Sequence, residues 1–329
     1  MRPILLPFRM LYQNLIKIGP YLNFSSRFGI CAIFAVSVPL LFLSAAENQC
    51  VTYKLTGRLG NNLIAYFHAK WISYKYGLPL IFKPFKYSED FAFHHLEKEI
   101  FVQRLPTFDA RVSLEGLDLL NIEYPNLLYE VPYFRDVGPE PEKRVPARFY
   151  TDWDDPGFKE ILKSHLKSVR PLNCVTPPQG KINVLVHIRT GGGYDLDFVK
   201  LKMPLKFPPM SFYINALRRI SAHFKHRPIY AFIMTDDSRP QRLARIMRQN
   251  LPYRKNIEWD WRKGEAGHDV NVLDDFFSIP NFQCLIRADS TFSEMASRLG
   301  DYDIVVTPTR AHVDNDRAII DQIDFKIKK

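Results

Sequence analysis

Ile182-Asn183-Val184-Leu185-Val186-His187-Ile188-Arg189-Thr190-Gly191-Gly192 is the stretch that decides the fold. Its first seven residues are apolar except for Asn183 and His187, and β-branched side chains dominate them. A run that is apolar on both faces belongs in a parallel sheet covered on both sides, not in a half-exposed antiparallel one. It then breaks into Arg, Thr and Gly, which marks the carboxyl end of a strand.

Downstream the pattern alternates. Helices are expected at 211–223, 238–250, 269–278 and 291–299, and strands at 229–235, 257–259, 283–288 and 303–307. Such alternation predicts a doubly wound parallel sheet with helices on both faces. Upstream, Pro171, Pro177, Pro178 and Gly180 mark a linker. Before it, 50–55 reads as a strand, 57–60 as a tight loop and 61–76 as a helix stopped by Gly77 and Pro79, with a further strand at 80–82. The region 83–151 is less regular, and 158–169 reads as a helix. The expected fold class is therefore α/β, with two α/β domains, 47–180 and 181–329.

Three separated segments read as strand-to-helix junctions: Gly57-Arg58-Leu59-Gly60-Asn61-Asn62, Val186 to Gly192, and Ala288-Asp289-Ser290-Thr291-Phe292-Ser293. Each sets small residues, hydroxyls or an Arg where a helix start directs its unpaired N–H groups, which suits a phosphate-bearing ligand. In a doubly wound sheet, ligands bind beyond the carboxyl ends of the strands.

The bulk numbers agree with a globular protein: 329 residues, 46% hydrophobic, 24% charged and a net charge of +10. The basic residues are spread along the chain, which suits an anionic ligand or a membrane surface. There is no basic repeat, zinc finger or aromatic RNA-binding motif, so nucleic acid is not an expected partner. No Gly-x-Gly-x-x-Gly opens a βαβ unit and no Gly-Lys-Ser/Thr occurs, which argues against dehydrogenases and P-loop enzymes.

Residues 28–46 are almost wholly apolar, and Arg2, Arg9, Lys17 and Arg27 precede them with no acid before Glu47. At ~1.5 Å per residue such a run just crosses a hydrocarbon core of ~30 Å. The charge asymmetry keeps 1–27 cytoplasmic and sends the rest across. The segment is read as a signal anchor giving single-pass type II topology. Ser44-Ala45-Ala46 keeps a cleaved signal peptide, and hence secretion, as the competing reading. Cys50, Cys174 and Cys284 follow the segment and are compatible with one disulfide plus a thiol or with three thiols.

These motifs resemble the fucosyltransferase superfamily that uses GDP-fucose, and the α-1,2-fucosyltransferase family most of all. The Gly57–Asn62 segment is similar to its first glycine-asparagine motif, and Val186-His187-Ile188-Arg189 to its His-x-Arg motif. Phe232-Ile233-Met234-Thr235-Asp236-Asp237 resembles its strand ending in Ser/Thr-Asp-Asp, and Ala288–Ser293 its Ser-Ser/Thr-Phe segment. Where the α-1,2 family carries a second Arg and an acid, this chain has Thr190 and Gly192; a single Arg is closer to the protein O-fucosyltransferases. The resemblance implies two Rossmann-like domains facing a cleft, as in GT-B-type glycosyltransferases, with a GDP-fucose donor, inversion at the anomeric carbon, transfer to a glycan or glycoprotein hydroxyl such as galactose, and neither metal nor cofactor.

On that reading Arg189 is the catalytic group, a fixed cation on the departing diphosphate. His187, two residues earlier on the same side of the strand, is expected near guanine or ribose. Ser290 and Thr291 would receive the phosphates at a helix start, with Phe292 beside the donor. Gly57 and Gly60 would allow close backbone approach, with Arg58 and Asn61 reaching sugar or phosphate. An acid is needed to read the guanine N1–H and amine, and the resemblance suggests Asp275, beside Asp274. Asp195 and Asp197 are candidates for the general base by position only. Each also has an ordinary structural explanation: Ser290 as a helix cap, Phe292 as core, Asp275 as a solvated helix face. Two other functions compete. Asp152-Trp153-Asp154, Asp195-Leu196-Asp197, Asp301-Tyr302-Asp303 and Asp314-Asn315-Asp316 are Asp-x-Asp triplets of the kind metal-dependent nucleotide-sugar transferases use. A non-catalytic protein that binds GDP-sugar or glycan is the other.

Overall fold

The computed structural model describes residues 49–101, 110–113, 127–135, 145–191, 197–251, 254–264, 267 and 269–328. The expected anchor at 28–46 lies outside them. Among the described residues, no helix is long and apolar enough to cross a membrane.

The protein is a mixed α/β structure with two sheets. The smaller contains β1 (Cys50–Tyr53), β2 (Ala110–Ser113) and β3 (Leu127–Val131) in the order β1-β3-β2, all parallel. The larger contains β4 (Ile182–Ile188), β5 (Ile229–Thr235), β6 (Ile257–Trp261), β7 (Cys284–Arg287), β8 (Ile304–Asp314) and β9 (Arg317–Ile327), in the order β6-β5-β4-β7-β8-β9. Chain order steps outward from β4 to β5 and β6, then returns to the other side of β4 as β7. The topological switch therefore lies between β4 and β7, and ligands of such sheets collect at that position.

Alternation along the strands divides the core in two. On β4, Ile182, Val184, Val186 and Ile188 join one cluster, with Phe212, Leu217 and Ile220 of α5 (Met210–His223) and Leu243 and Met247 of α6 (Pro240–Asn250). Leu185 points the other way, with Tyr230, Phe232 and Met234 of β5. There they meet Phe276 of α7 (Val272–Ser278), Met295 of α8 (Thr291–Ser297) and Leu63 and Phe67 of α1 (Leu59–Tyr76). This second cluster continues to the smaller sheet through Val51, Tyr53, Tyr129 and Val131, so one body of apolar side chains underlies both sheets.

The structure corrects several expectations. The strand at 80–82 is only an isolated bridge from Leu80 to Val51. The irregular region contains β2, β3 and α2 (Ala92–Phe101), and a short helix not expected from the sequence, α4 (Asp197–Leu201), follows β4. The helix expected at 158–169 is α3, Pro156–His165, started earlier by an Asp155 cap on the Phe158 N–H. The larger sheet is not wholly parallel: β9 returns antiparallel to β8 through Asn315 and Asp316, both in the left-handed region that a two-residue hairpin turn requires. No disulfide joins Cys50, Cys174 and Cys284 to one another among the described residues.

Candidate functional site

One cavity of about 1150 Å³ opens at the carboxyl ends of β4, β5, β7 and β8 and at the start of α1. All ten expected site residues border it: Gly57, Arg58, Gly60, Asn61, His187, Arg189, Asp275, Ser290, Thr291 and Phe292. The cavity spans the switch between β4 and β7, so segments more than 200 residues apart in the chain share one wall.

β4 delivers His187 and, just past its end, Arg189. His187 is buried, its Nδ1 has no hydrogen-bond partner among the described residues, and its ring lies 6.0 Å from that of Phe292. Burial, assisted by the Arg189 charge, lowers its pKa to about 4, so the ring is neutral at physiological pH. The guanidinium of Arg189 lies 5.8 Å from the Phe207 ring. The turn that follows is pinned from β5: Asp236 accepts the Thr190 N–H at 2.7 Å, the Thr190 hydroxyl at 3.0 Å and the Gly191 N–H at 3.4 Å. Thr190 is thus turned toward Asp236, and its role is to hold the loop that presents Arg189.

The starts of α1 and α8 meet. The Thr291 hydroxyl donates to Asn61 Oδ1 at 2.7 Å, and the Tyr133 hydroxyl reaches the same atom at 3.4 Å. A Cβ on Gly60 would lie 2.4 Å from the Phe292 nitrogen, so this glycine is required by the contact between two helix starts. Gly60 also borders the cavity, where close backbone approach of a ligand was expected. Gly57 has φ of +61°, and a Cβ there would lie 2.4 Å from the Asn61 amide nitrogen, so its glycine is needed for the turn. The first-turn N–H groups of both helices lack intrahelical acceptors by helix geometry. Ser290 is the N-cap of α8, but its hydroxyl makes no capping bond; it is buried and without a hydrogen-bond partner among the described residues. Ordinary capping therefore does not account for it.

On the far side, Asp275 Oδ1 accepts Arg262 Nε at 2.7 Å. Burial raises its pKa to about 6 although the Arg262 charge opposes the shift. Asp275 is no solvated helix face, whereas Asp274 caps the Asn173 N–H at 2.9 Å.

Tertiary structure adds residues with no motif signal. Arg135, after β3, forms a fork with Asp289 at 2.7 Å on both arms and reaches Glu294 at 2.9 Å. Glu294 also takes Arg298 at 3.2 Å, and the partly buried Arg287 donates to the Ser290 carbonyl at 3.4 Å. Lys86, Lys202, Lys206 and Arg310 join the cavity wall. Its carboxylates are engaged elsewhere: Asp236 by the Thr190 turn, Asp269 by Lys86, Asp275 by Arg262 and Asp289 by Arg135. The wall thus presents an excess of positive charge to an anion.

No three His, Cys, Asp or Glu side chains come together as a metal site among the described residues. Of the Asp-x-Asp triplets, Asp152 caps the Asp154 N–H, Asp303 accepts from Gln283, Asp301 pairs with Lys328, and Asp314 to Asp316 form the β8–β9 turn. None of these borders the cavity. Asp195 lies outside the described residues, as does the side chain of Asp197.

No family model matches the chain, and no curated relative matches it. Among solved structures it is similar to POFUT1 in complex with GDP, at 12% identity and a TM-score of 0.43 over 78% of this chain and 95% of that one. A mutant of Arabidopsis thaliana FUT1 in complex with GDP gives 13% and 0.46 over 85% and 75%. The fucosyltransferase NodZ from Bradyrhizobium gives 12% and 0.43 over 86% and 99%. At these identities and scores the likeness assigns neither an activity nor the role of any residue.

Proposed function

We propose that this chain is an inverting glycosyltransferase that moves fucose from GDP-fucose to a hydroxyl of a glycan acceptor, forming an α-1,2 linkage to galactose. The observation that carries the proposal is the convergence of the three anion-binding segments on one positively charged cavity at the β4–β7 switch. The two sheets act as two Rossmann-like halves of the GT-B kind, with the donor held by the larger.

Asp275 accepts the guanine N1–H and amine, with neutral His187 beside the ribose. The diphosphate meets Arg189, the Ser290 hydroxyl and the N–H groups at the start of α8. The acceptor oxygen attacks the anomeric carbon from the face opposite the diphosphate. The bond from that carbon to the phosphate oxygen breaks, its electron pair stays on GDP, and the proton of the acceptor hydroxyl passes to water. Arg189 stabilises the charge that develops on the leaving oxygen, where a fixed cation in a dry site has most effect. Phe292 and Arg58 flank the donor. Neither metal nor cofactor is required. Residues 28–46 anchor the chain in a compartment supplied with GDP-fucose.

The test is calorimetric titration of the full chain with GDP, UDP and ADP, with and without manganese, followed by transfer assays. Selective, metal-independent GDP binding that collapses in Arg189→Ala is expected. A manganese requirement, or no preference for GDP, would favour a metal-dependent transferase. GDP binding without transfer to any galactose-terminated glycan would leave a non-catalytic binding protein.

A further inference from the structure

Among the cavity-wall cations that the proposed mechanism leaves unused, Arg310 is carried by β8 of the larger sheet. Registers align Val186 of β4, Ile286 of β7 and Val306 of β8 on one rung. Three residues further along each chain stand Arg189, Asp289 and Thr309, and Arg310 follows Thr309. Strands two apart are separated by roughly 10 Å, so Arg189 and Arg310 stand on either side of the α8 start.

Regular alternation from Val306, which packs in the α5 cluster, would send residue 310 to that same face, away from Arg189. The β8–β9 register prevents this. Thr309 is an extra residue on β8 between Pro308 and Arg310, and Asp321 an extra residue on β9. Thr309, Arg310 and Ala311 consecutively border the cavity. Bulges that redirect a side chain are characteristic of the rims of binding sites. Arg310 is exposed and pairs with no carboxylate among the described residues, and Asp289, the acid on the adjacent strand, is taken by Arg135.

Along the edge the order is Asp275 and Asp236, then Arg189, then Ser290, then Arg310. A nucleotide with its base at Asp275 directs its terminal phosphate toward β8. We infer that Arg310 is a substrate-contacting residue that binds the terminal phosphate of the nucleoside diphosphate, sharing its charge with Arg189. This rests on the nucleotide-sugar reading above.

The test compares GDP with GMP by calorimetry at low and moderate salt, using full-length wild type, Arg310→Gln and Arg189→Ala. Arg310→Gln is expected to weaken GDP about tenfold while changing GMP less than about twofold. Arg310→Lys should recover part of the loss. Equal weakening of GDP and GMP would mean that Arg310 acts only through the shape of the ribbon, and no weakening of GDP would mean that it faces something else; either result overturns the inference alone. If the wild type binds neither GDP nor inorganic pyrophosphate, the nucleotide reading itself falls and the inference with it.

Discussion

The Thr291 hydroxyl donates to Asn61 Oδ1 at 2.7 Å, across 230 residues of sequence. This bond joins the start of α8 to the start of α1, so two sets of first-turn N–H groups face the same cavity. Thr291→Val keeps the shape and removes the donor. It should cost ~1 kcal/mol in denaturant unfolding and weaken GDP several-fold by calorimetry. A variant unchanged in both would show that the two helix starts do not act together.

Gly60→Ala tests the same junction sterically. Its Cβ would meet Phe292 backbone, which cannot swing aside as a side chain could. Overpacking of this kind costs ~1–3 kcal/mol. Thermal unfolding should move down by several degrees, and GDP binding should fall further than in Thr291→Val. By contrast Gly77, with open space around its Cβ position but φ of +70°, should show only the modest backbone penalty of a left-handed site.

Asp236 holds the turn after Arg189 through three hydrogen bonds. Asp236→Ala leaves the partly buried Thr190 N–H unpaired and should cost ~1–3 kcal/mol. Transfer rate should fall more than donor affinity, because Arg189 loses its alignment with the leaving oxygen rather than its charge. The measurement is kcat against GDP affinity; a loss confined to affinity would place Asp236 in ground-state binding alone.

Arg135 neutralises two carboxylates at the floor of the site, and Glu294 is almost fully buried. Arg135→Met strands Asp289 and leaves Glu294 with Arg298 alone, so destabilisation of ~3–5 kcal/mol is expected. Asp289→Asn in that background should restore part of the stability, since it removes the stranded charge. Chemical denaturation of the single and double variants reads the coupling.

Two buried groups give opposite pH signatures. His187 titrates at about 4 when folded, below its usual 6.5, so the unfolded chain binds more protons between those values and stability rises with pH there. Asp275 titrates at about 6, above its usual 3.8, so the folded chain holds the extra proton and stability falls as pH rises through that window. The two contributions largely cancel in the wild type. Asp275→Asn should expose the His187 contribution as stability that increases by roughly 2–3 kcal/mol from pH 4 to 7. Urea titrations at both pH values decide it; a flat profile in the variant would mean that His187 is charged when folded.

Local sequence determined the strands that carry the site. β5 runs over Ile229–Thr235, as its unbroken apolar run predicts, and β4 ends where Arg189, Thr190 and Gly191 break the pattern. Such segments are legible because a strand buried on both faces must be apolar at consecutive positions, and because glycine and proline mark chain reversals wherever they occur. Nine of the ten expected site residues stood out for the same reason, as junction chemistry at strand ends; Asp275, inside α7, came only from the resemblance. What tertiary structure alone decided was how distant charges and backbones meet. The fork from Arg135 to Asp289 closes over 154 residues, and the contact of Gly60 with Phe292 brings together two helix starts from opposite ends of the described chain. β9 escaped the reading because its alternation is only half buried and it follows a strand whose second half pairs with β9 alone. Arg310 escaped because a bulge, a property of pairing between two strands, reverses the face that its position in β8 alone would predict.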